Sequence, residues 1–343
     1  MSTLPDFDSL PPVPGQPQGN AWGLWGKDDQ IGCVYLPKRN AHKPTDALPQ
    51  GLNKITHAAR INAAKEVKAG RSVSLDQPLN WMDNHRIAGR MAFQHNIIDF
   101  KKLVNSFGHD DEVHFNTQSS SQWDGLRHCG LQKSGLYYNN LKHEDIDTKT
   151  DGRNGTHPDW VAAGGIVGRG VLIDYVRWRE ETGQTPIPAD SAYGITVDEL
   201  YAVAKHQNLE FKPGDILLIR GGFSLWYEAC ADNLKAEKLE KTEFIGVERS
   251  MNMARFLWNN HFSAVATDSI GFEQCPVPFG SETEVVLHEW IIAHWGMGLG
   301  ELWNLEPLSK LCAEQKQWSF LFTSHPLYVF GGVASPPNAI ALL

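Results

Sequence analysis

Short apolar runs alternate with amphipathic stretches in the second half of the chain, and this pattern predicts the fold class. The runs GVLIDY from residue 170 and ILLI at 216–219 are typical of buried strands, and HFSAVATD at 261–268 predicts a third. Helical spacing between the last two places four residues on one face: Val247, Met251, Ala254 and Trp258. Together with the helix described next, the alternation of strand and helix predicts an α/β fold.

Two capping patterns predict where helices begin. Thr196 and Glu199 form a Thr-x-x-Glu box at the start of TVDELYAVAKHQ. Ser281 and Glu284 form a similar box, so a last helix is predicted to begin at Ser281 and to end near Gly296. The segment ELWNLEPL that follows is predicted to be strand-like.

The first 20 residues are rich in proline and glycine, which predicts an extended arm over residues 1–20. No catalytic group is expected there. The length of the chain allows one large domain or two closely packed ones, and the family resemblance given below implies one compact domain over residues 21–343.

Composition and charge exclude several classes of partner. The chain has 343 residues, 41% of them hydrophobic, which is enough for a large core. A net charge of -9 without a basic block argues against nucleic acid as a partner. No apolar run is long enough to span a bilayer, and no basic and apolar leader opens the chain, so we expect a cytoplasmic protein without a membrane partner. Five scattered cysteines with no CxxC pair indicate reduced thiols.

The stretch QSSSQWDGLRH at 118–128 carries the first candidate chemistry. Asp124 offers a carboxylate to a hard cation, while Gln118 and Gln122 offer amide oxygens. His128 is suited to general acid and base catalysis near neutral pH. Spacing alone is also compatible with a polar turn at Asp124-Gly125, and on local grounds that plainer interpretation is favoured.

A second polar cluster lies near the C-terminus and comprises His288, Glu289, His294 and Glu301. His288 sits in an apolar stretch and is therefore expected to be buried, where a histidine is more often hydrogen-bonded in the core than a ligand. Cys129 has no motif that favours a nucleophile. The glycine-rich stretches at 164–170 and 296–300 lack the context of a nucleotide-binding loop.

A series of segments in order gives the chain a family resemblance. They are AWGLWGKDDQIGCVYLP, AGRSVSLDQPL, GRGVLIDY, GDILLIRGGFSLWY, AVATDSIGFE, GELWNLEPL and the closing GGVASPPNAIAL. In this order they resemble the putative cyclase family, which includes bacterial kynurenine formamidases and isatin hydrolases. The resemblance runs from about Trp22 to the end of the chain and implies a swivelling β/β/α-type fold. It also implies a homodimer or homotetramer in which the arm packs on a neighbouring copy.

The family's signature is His-x-Gly-Thr-His-x-Asp-x-Pro-x-His, whose first two histidines and aspartate bind metal while the last histidine assists catalysis. Asp124 and His128 match the aspartate and the last histidine. Gln118 and Gln122 stand where the two metal-binding histidines would be. The resemblance therefore implies an altered metal site.

Downstream, His288 and Glu301 resemble the histidine and glutamate that complete the family's metal site. The implied ligands are Asp124, Gln122, Gln118, His288 and Glu301. An amide oxygen is a harder and weaker ligand than imidazole and suits manganese, magnesium or calcium better than zinc. We therefore expect one divalent ion, manganese rather than zinc, with a site that holds no metal as the alternative.

The resemblance implies hydrolysis of an amide, lactam or lactone bond in a small, aromatic substrate. The ion would activate water while His128 transfers the proton and Asp124 anchors the metal. Candidate pocket residues are Trp22, Trp25, Trp81, Trp123 and Phe223, with a place in the core as the alternative for each. Two alternatives stay open: a metal-free hydrolase, dehydratase or cyclase on the same scaffold, and a small-molecule binding protein without catalysis.

Overall fold

The computed structural model describes residues 4–33, 55–146, 152–156, 160 and 164–343. Its α-helices are α1 His57–Ala64, α2 Phe100–Val104, α3 Tyr175–Glu181, α4 Val197–His206, α5 Phe223–Ala229, α6 Asp232–Lys241, α7 Met251–Asn259 and α8 Glu306–Gln315. Its strands are β1 Ser72–Ser74, β2 Gln94–Asp99, β3 His109–His114, β4 Gln122–Asp124, β5 Leu136–Tyr137, β6 Leu141–Lys142, β7 Ile166–Asp174, β8 Gly194–Ile195, β9 Ile216–Arg220, β10 Gly246–Val247, β11 Ala264–Thr267, β12 Gly298–Glu301, β13 Ser319–Ser324, β14 Ala334–Ser335 and β15 Ala339–Leu342.

Within the described residues, one mixed sheet has the strand order β1-β15-β13-β7-β9-β11-β12-β4-β14. The four strands β7, β9, β11 and β12 are parallel, and the strands on both sides of them are antiparallel. Parallel strands need cover on both faces, and β9 and β11 are buried along their whole length. The site described below lies where β12 meets antiparallel β4.

The predicted α/β pattern is confirmed in these central strands. The apolar runs at 170–175, 216–219 and 261–268 contain or overlap β7, β9 and β11. Helix α4 lies between β7 and β9 in sequence, and α7 lies between β9 and β11. Alternation of buried strands and amphipathic helices is therefore sufficient to predict the fold class.

The two earlier helices begin where side-chain caps place them. Thr196 and Glu199 form the predicted capping box, and α4 starts at the next residue, Val197. Helix α7 starts at Met251 because the hydroxyl of Ser250 accepts a hydrogen bond from the backbone N–H of Met253. Val247, predicted on the same helical face, belongs instead to strand β10.

The prediction that the last helix begins at Ser281 is wrong. The Ser281 hydroxyl does accept the backbone N–H of Glu284 at 3.1 Å, but this closes only a local turn. The helical segment starts near His288 and continues as a π-helix, Glu289–His294, before Gly296 turns away with φ 63°. The backbone N–H of His288 is capped by the side chain of Glu273, 2.9 Å away. In the described part of the chain, no helix is long and apolar enough to cross a membrane.

The segment ELWNLEPL is strand only at its first residue. Strand β12 ends at Glu301, and Leu302 takes a left-handed conformation with φ 58°. Helix α8 then begins at Glu306 with a proline in its first turn.

The N-terminal arm packs against its own chain, and the additional packing on a neighbouring copy stays a prediction. The Phe7 ring is buried with its centroid 5.2 Å from that of Trp290. The backbone N–H of Phe7 donates to Asn259 Oδ1 at 2.8 Å, and the indole N–H of Trp258 donates to the Pro5 carbonyl at 2.9 Å. The arm therefore covers α7 and the π-helix that follows the candidate ligand His288.

We expect Phe7→Ala to lower the free energy of unfolding by about 3–5 kcal/mol, because it leaves a cavity in place of the buried phenyl ring. Urea denaturation monitored by tryptophan fluorescence measures the change. The matched control is Asp8→Ala, since Asp8 and its partner Arg255 are 59% and 40% exposed and their ion pair contributes little. Equal urea midpoints for the two variants would contradict a structural role of the arm.

Candidate metal centre and active-site cavity

The pairing of β4 with β12 places three polar side chains on one face of the sheet. Gln122 lies opposite Glu301, and Trp123 lies opposite Gly300. Side chains alternate along a strand, so Gln122 and Asp124 point to the same side. Glu301, directly across from Gln122, joins them there.

Trp123 points to the other side and anchors β4 in the core. Its indole is fully buried, with its ring centroid 4.8 Å from that of Trp303 and its N–H donated to Ser324 at 2.9 Å. A Cβ at Gly300 would lie 2.7 Å from the Cβ of Ala266 and 2.8 Å from Trp303 Cε2. This glycine of the stretch at 296–300 therefore makes room for aromatic packing beside the site.

Asp124, His288 and Glu301 form a buried cluster suited to a cation. One ligand atom from each lies within 4.8 Å of the others, and the three residues are 0%, 5% and 4% exposed. His288 Nε2 is 3.2 Å from Glu301 Oε1. Asp124 Oδ2 is buried and makes no hydrogen bond. A buried carboxylate oxygen without a donor, beside an imidazole and a second carboxylate, fits a divalent ion.

A third carboxylate, Glu273, holds His288 from behind. Its Oε2 is 2.7 Å from His288 Nδ1, and its Oε1 accepts the His288 backbone N–H. Metal-binding histidines usually donate their second ring nitrogen to such a carboxylate, which fixes the ring and its tautomer. No motif in the sequence indicates a role for Glu273. It is noticeable only as an acidic residue at the end of SIGFE, a run of otherwise small or apolar residues.

Charges in this cluster compensate one another. Burial tends to lower the pKa of His288, but Glu273 and Glu301 outweigh it and hold that pKa well above its usual range. Burial tends to raise the pKa of Glu273, and His288 holds it below its ordinary value. Burial raises the pKa of Asp124 to about 6, although the nearby His128 acts to lower it. Without a metal, the imidazolium of His288 is the cation between two carboxylates.

The two glutamines bind these carboxylates through their amide nitrogens. Gln118 Nε2 donates to Asp124 Oδ1 at 2.7 Å and lies 3.2 Å from His128 Nδ1. Gln122 Nε2 donates to Glu301 Oε2 at 2.9 Å. The structure thus brings both glutamines to the site as hydrogen-bond donors, and their role as ligands through oxygen stays a prediction.

His128 is the most exposed titratable group of this cluster. Its side chain is 26% exposed, and Nε2 lies 3.8 Å from Asp124 Oδ2. The ring centroid is 6.5 Å from that of His288. His128 therefore stands between the buried cluster and a neighbouring cavity.

A cavity of about 680 Å³ opens beside the cluster. Its polar wall includes Arg90, His128, His288 and Glu301. Its apolar wall includes Ile87, Leu239, Phe244, Ile270, Val277 and Phe279. The predicted aromatic wall is wrong, because Trp22, Trp25, Trp81, Trp123 and Phe223 do not line this cavity. Trp123 and Phe223 are core residues, and composition alone does not reveal which way an aromatic side chain points.

Other residues of the two sequence clusters have structural roles. Asn20 of the arm lies with Nδ2 2.8 Å from His294 Nδ1, and burial lowers the pKa of His294 to about 3, so its ring stays neutral. Burial raises the pKa of Cys129 to about 12, which keeps the thiol protonated and unreactive. Glu289 accepts the backbone N–H of Gln132 at 3.1 Å.

The fold and site thus define an α/β protein with a buried cluster of carboxylates and imidazole beside a cavity. The family model described as "Putative cyclase" matches residues 54–274. The chain belongs to this family. A comparison with curated proteins gave no match.

Solved structures give the same fold. The crystal structure of a novel cyclase has a TM-score of 0.76 and 27% identity, and the match covers 94% of this chain and 99% of that one. Isatin hydrolase A from Ralstonia solanacearum has a TM-score of 0.52 and 15% identity, with 79% and 91% covered. An isatin hydrolase bound to the product analogue thioisatinate has a TM-score of 0.54 and 12% identity, with 84% and 99% covered. The two isatin hydrolases share the fold of this chain.

We expect His288→Ala to destabilise chelator-treated protein by about 3–5 kcal/mol, because it leaves the buried carboxylates of Glu273 and Glu301 without a cation. The measurement is urea unfolding at neutral pH in EDTA. His128→Ala is the matched control and should cost much less, since that ring is partly exposed. The charge arrangement described for His288 is contradicted by equal losses in the two variants.

Proposed function

We propose that this protein is a hydrolase that cleaves an amide, lactam or lactone bond in a small substrate. The observation that carries the proposal is the convergence of Asp124, His288 and Glu301, of which His288 and Glu301 line a cavity of about 680 Å³. The six apolar side chains named for the same cavity suit a substrate with an aromatic or aliphatic body. The isatin hydrolases that share the fold support this class of reaction.

We propose that Asp124, His288 and Glu301 hold one divalent ion, with manganese favoured over zinc. Two carboxylates and one imidazole are a predominantly hard donor set. When bound, the ion supplies a Lewis acid that polarises the substrate carbonyl and lowers the pKa of water. The unbonded Oδ2 of Asp124 and the carboxylate of Glu273 behind His288 support this assignment.

The surrounding side chains orient the ligands and move the proton. Gln118 and Gln122 each donate to a carboxylate oxygen and so fix the orientation of Asp124 and Glu301. His128, at the cavity and beside Asp124, accepts the proton of the attacking water. The water oxygen bonds to the carbonyl carbon, the bond to the leaving nitrogen or oxygen breaks, and His128 returns the proton to that atom.

A metal-free hydrolase, dehydratase or cyclase is the second candidate. It is favoured by the amide N–H groups of Gln118 and Gln122, which face the carboxylates where the family has imidazole ligands. In that case His288 supplies the cation of the site, and Asp124 and His128 act as an acid and base pair.

Protein purified without chelator is expected to carry about one equivalent of divalent metal per chain. EDTA should abolish hydrolysis of a panel of cyclic amides and esters, and manganese should restore it. Metal analysis and product formation, measured on the same samples, test this expectation. Full activity in samples that contain no metal would favour the second candidate instead.

Two variants separate proton transfer from metal binding. His128→Ala should lower kcat by about 10²–10⁴-fold with metal content unchanged, because a general base is lost. Glu273→Gln should lower metal affinity by about 10–100-fold and recover activity at saturating manganese, because it loosens His288. Steady-state kinetics and metal titration measure both effects. Loss of metal in the His128 variant, or its normal turnover, would count against the assigned roles.

A further inference from the structure

Arg90 brings a positive charge that forms no ion pair with a described residue to the cavity beside the candidate metal centre. It follows the turn Ile87–Gly89 and is half-buried. Its Nη1 donates to the backbone carbonyl of Gln118 and to Gln122 Oε1, the latter at 3.4 Å. Among the described residues, no carboxylate forms an ion pair with Arg90. Buried charges are normally paired, so the unpaired part of this half-buried guanidinium is open to an anionic ligand.

The two glutamines make hydrogen bonds both to Arg90 and to the acids Asp124 and Glu301. Gln122 accepts from Arg90 through Oε1 and donates through Nε2 to Glu301. Gln118 accepts through its backbone carbonyl and donates through its side chain to Asp124. One oxygen of Asp124 and one oxygen of Glu301 thereby accept from glutamine donors and not from Arg90. The Nε and Nη2 groups of Arg90 have no hydrogen-bond partner among the described residues.

The rest of the lining favours an amphipathic anion. Arg86 lies on the same wall, is exposed, and has no acidic partner in the described ranges. His85 lines the same wall, with Nε2 3.8 Å from Asp232 Oδ1. The acids of the lining are Glu301, which accepts from Phe272 N and Gln122, and the exposed Glu240 of α6. The apolar side chains of the lining include Phe244 and Phe279.

We infer that Arg90 binds a carboxylate group of the substrate, so that the substrate is a small carboxylic acid with an apolar body. The free edge of the guanidinium, Nε and Nη2, matches the two oxygens of a carboxylate. Arg86 adds attraction for the anion at the exposed rim. The identity of the bond to be cleaved rests on the proposed hydrolase function, but the carboxylate site itself does not.

The test uses benzoate and benzamide, which have the same shape and differ in charge. Calorimetric titration of the full chain is done in EDTA, so that no metal ion competes for the carboxylate. Benzoate should bind about ten-fold more tightly than benzamide or better. Arg90→Gln should reduce benzoate binding to the level of benzamide and leave benzamide binding unchanged. Equal affinities in the unaltered protein, or a preference for benzoate that survives Arg90→Gln, overturn the inference.

Further variants control for charge and for folding. Arg90→Lys keeps the charge without the planar fork and should keep only part of the preference for benzoate. Arg86→Gln should weaken benzoate binding by about three-fold at most, because that side chain is exposed. Arg71→Gln, whose arginine is 53% exposed and paired with Glu314, should change nothing. Circular dichroism verifies that each variant is folded. If Arg90→Gln does not fold, the affinities of the unaltered protein and of Arg90→Lys for benzoate and benzamide still test the inference.

The outcome is independent of the hydrolase proposal because no turnover is measured. A protein that prefers benzoate through Arg90 but cleaves no cyclic amide or ester supports the carboxylate site and counts against the hydrolase. A protein that cleaves neutral substrates and binds benzamide and benzoate with equal affinity supports the hydrolase and counts against the carboxylate site.

Discussion

The antiparallel contact between β4 and β12 joins residues 179 positions apart, Gln122 and Glu301, and the candidate site depends on its register. Because side chains alternate, this register directs Gln122, Asp124 and Glu301 to the site and Trp123 to the core. A slip of one residue would exchange the two faces and bury the polar groups among aromatic rings. Trp123, packed against Trp303 in the space left by Gly300, makes that slip costly.

The register brings buried charged side chains together, and the contacts around them determine which atoms are free to bind a ligand. His288 is bound by Glu273 on one side and Glu301 on the other, while Asp124 keeps one oxygen without a donor. Gln118 and Gln122 stand where the family resemblance implies imidazole ligands, and the cluster beside them contains two carboxylates and one imidazole. Two carboxylates with one imidazole are the basis of the proposal that the site holds a hard divalent ion. The same glutamines make hydrogen bonds to Arg90, whose Nε and Nη2 have no hydrogen-bond partner among the described residues.

The sequence predicts the fold class and most residues of the cluster, for different reasons. The apolar runs of β7, β9 and β11 are local signals, and so is the capping box at Thr196. Local spacing draws attention to 118–128, but only the family resemblance gives that stretch precedence over a polar turn. The same resemblance links it to His288 and Glu301.

Other features could not be predicted because they depend on contacts between distant segments. Glu273 caps the helical segment at His288 and binds its ring, and no spacing rule connects residues 15 apart across an irregular loop. That contact also explains why the helix does not begin at Ser281. Arg90 reaches the site only through its contacts with Gln118 and Gln122. The aromatic residues predicted to line the pocket do not line it. Composition cannot distinguish a ring in the core from a ring that faces a cavity, because the sequence contains the same residues in both cases.

The central claim is that Asp124, His288 and Glu301 still bind a divalent ion although two glutamines replace imidazole ligands. Anomalous diffraction at the manganese absorption edge, from crystals grown with manganese, tests it most directly. We predict one anomalous peak within coordination distance of Asp124 Oδ2, His288 Nε2 and a Glu301 oxygen. The absence of a peak there, with His288 Nε2 still bonded to Glu301, would contradict the account.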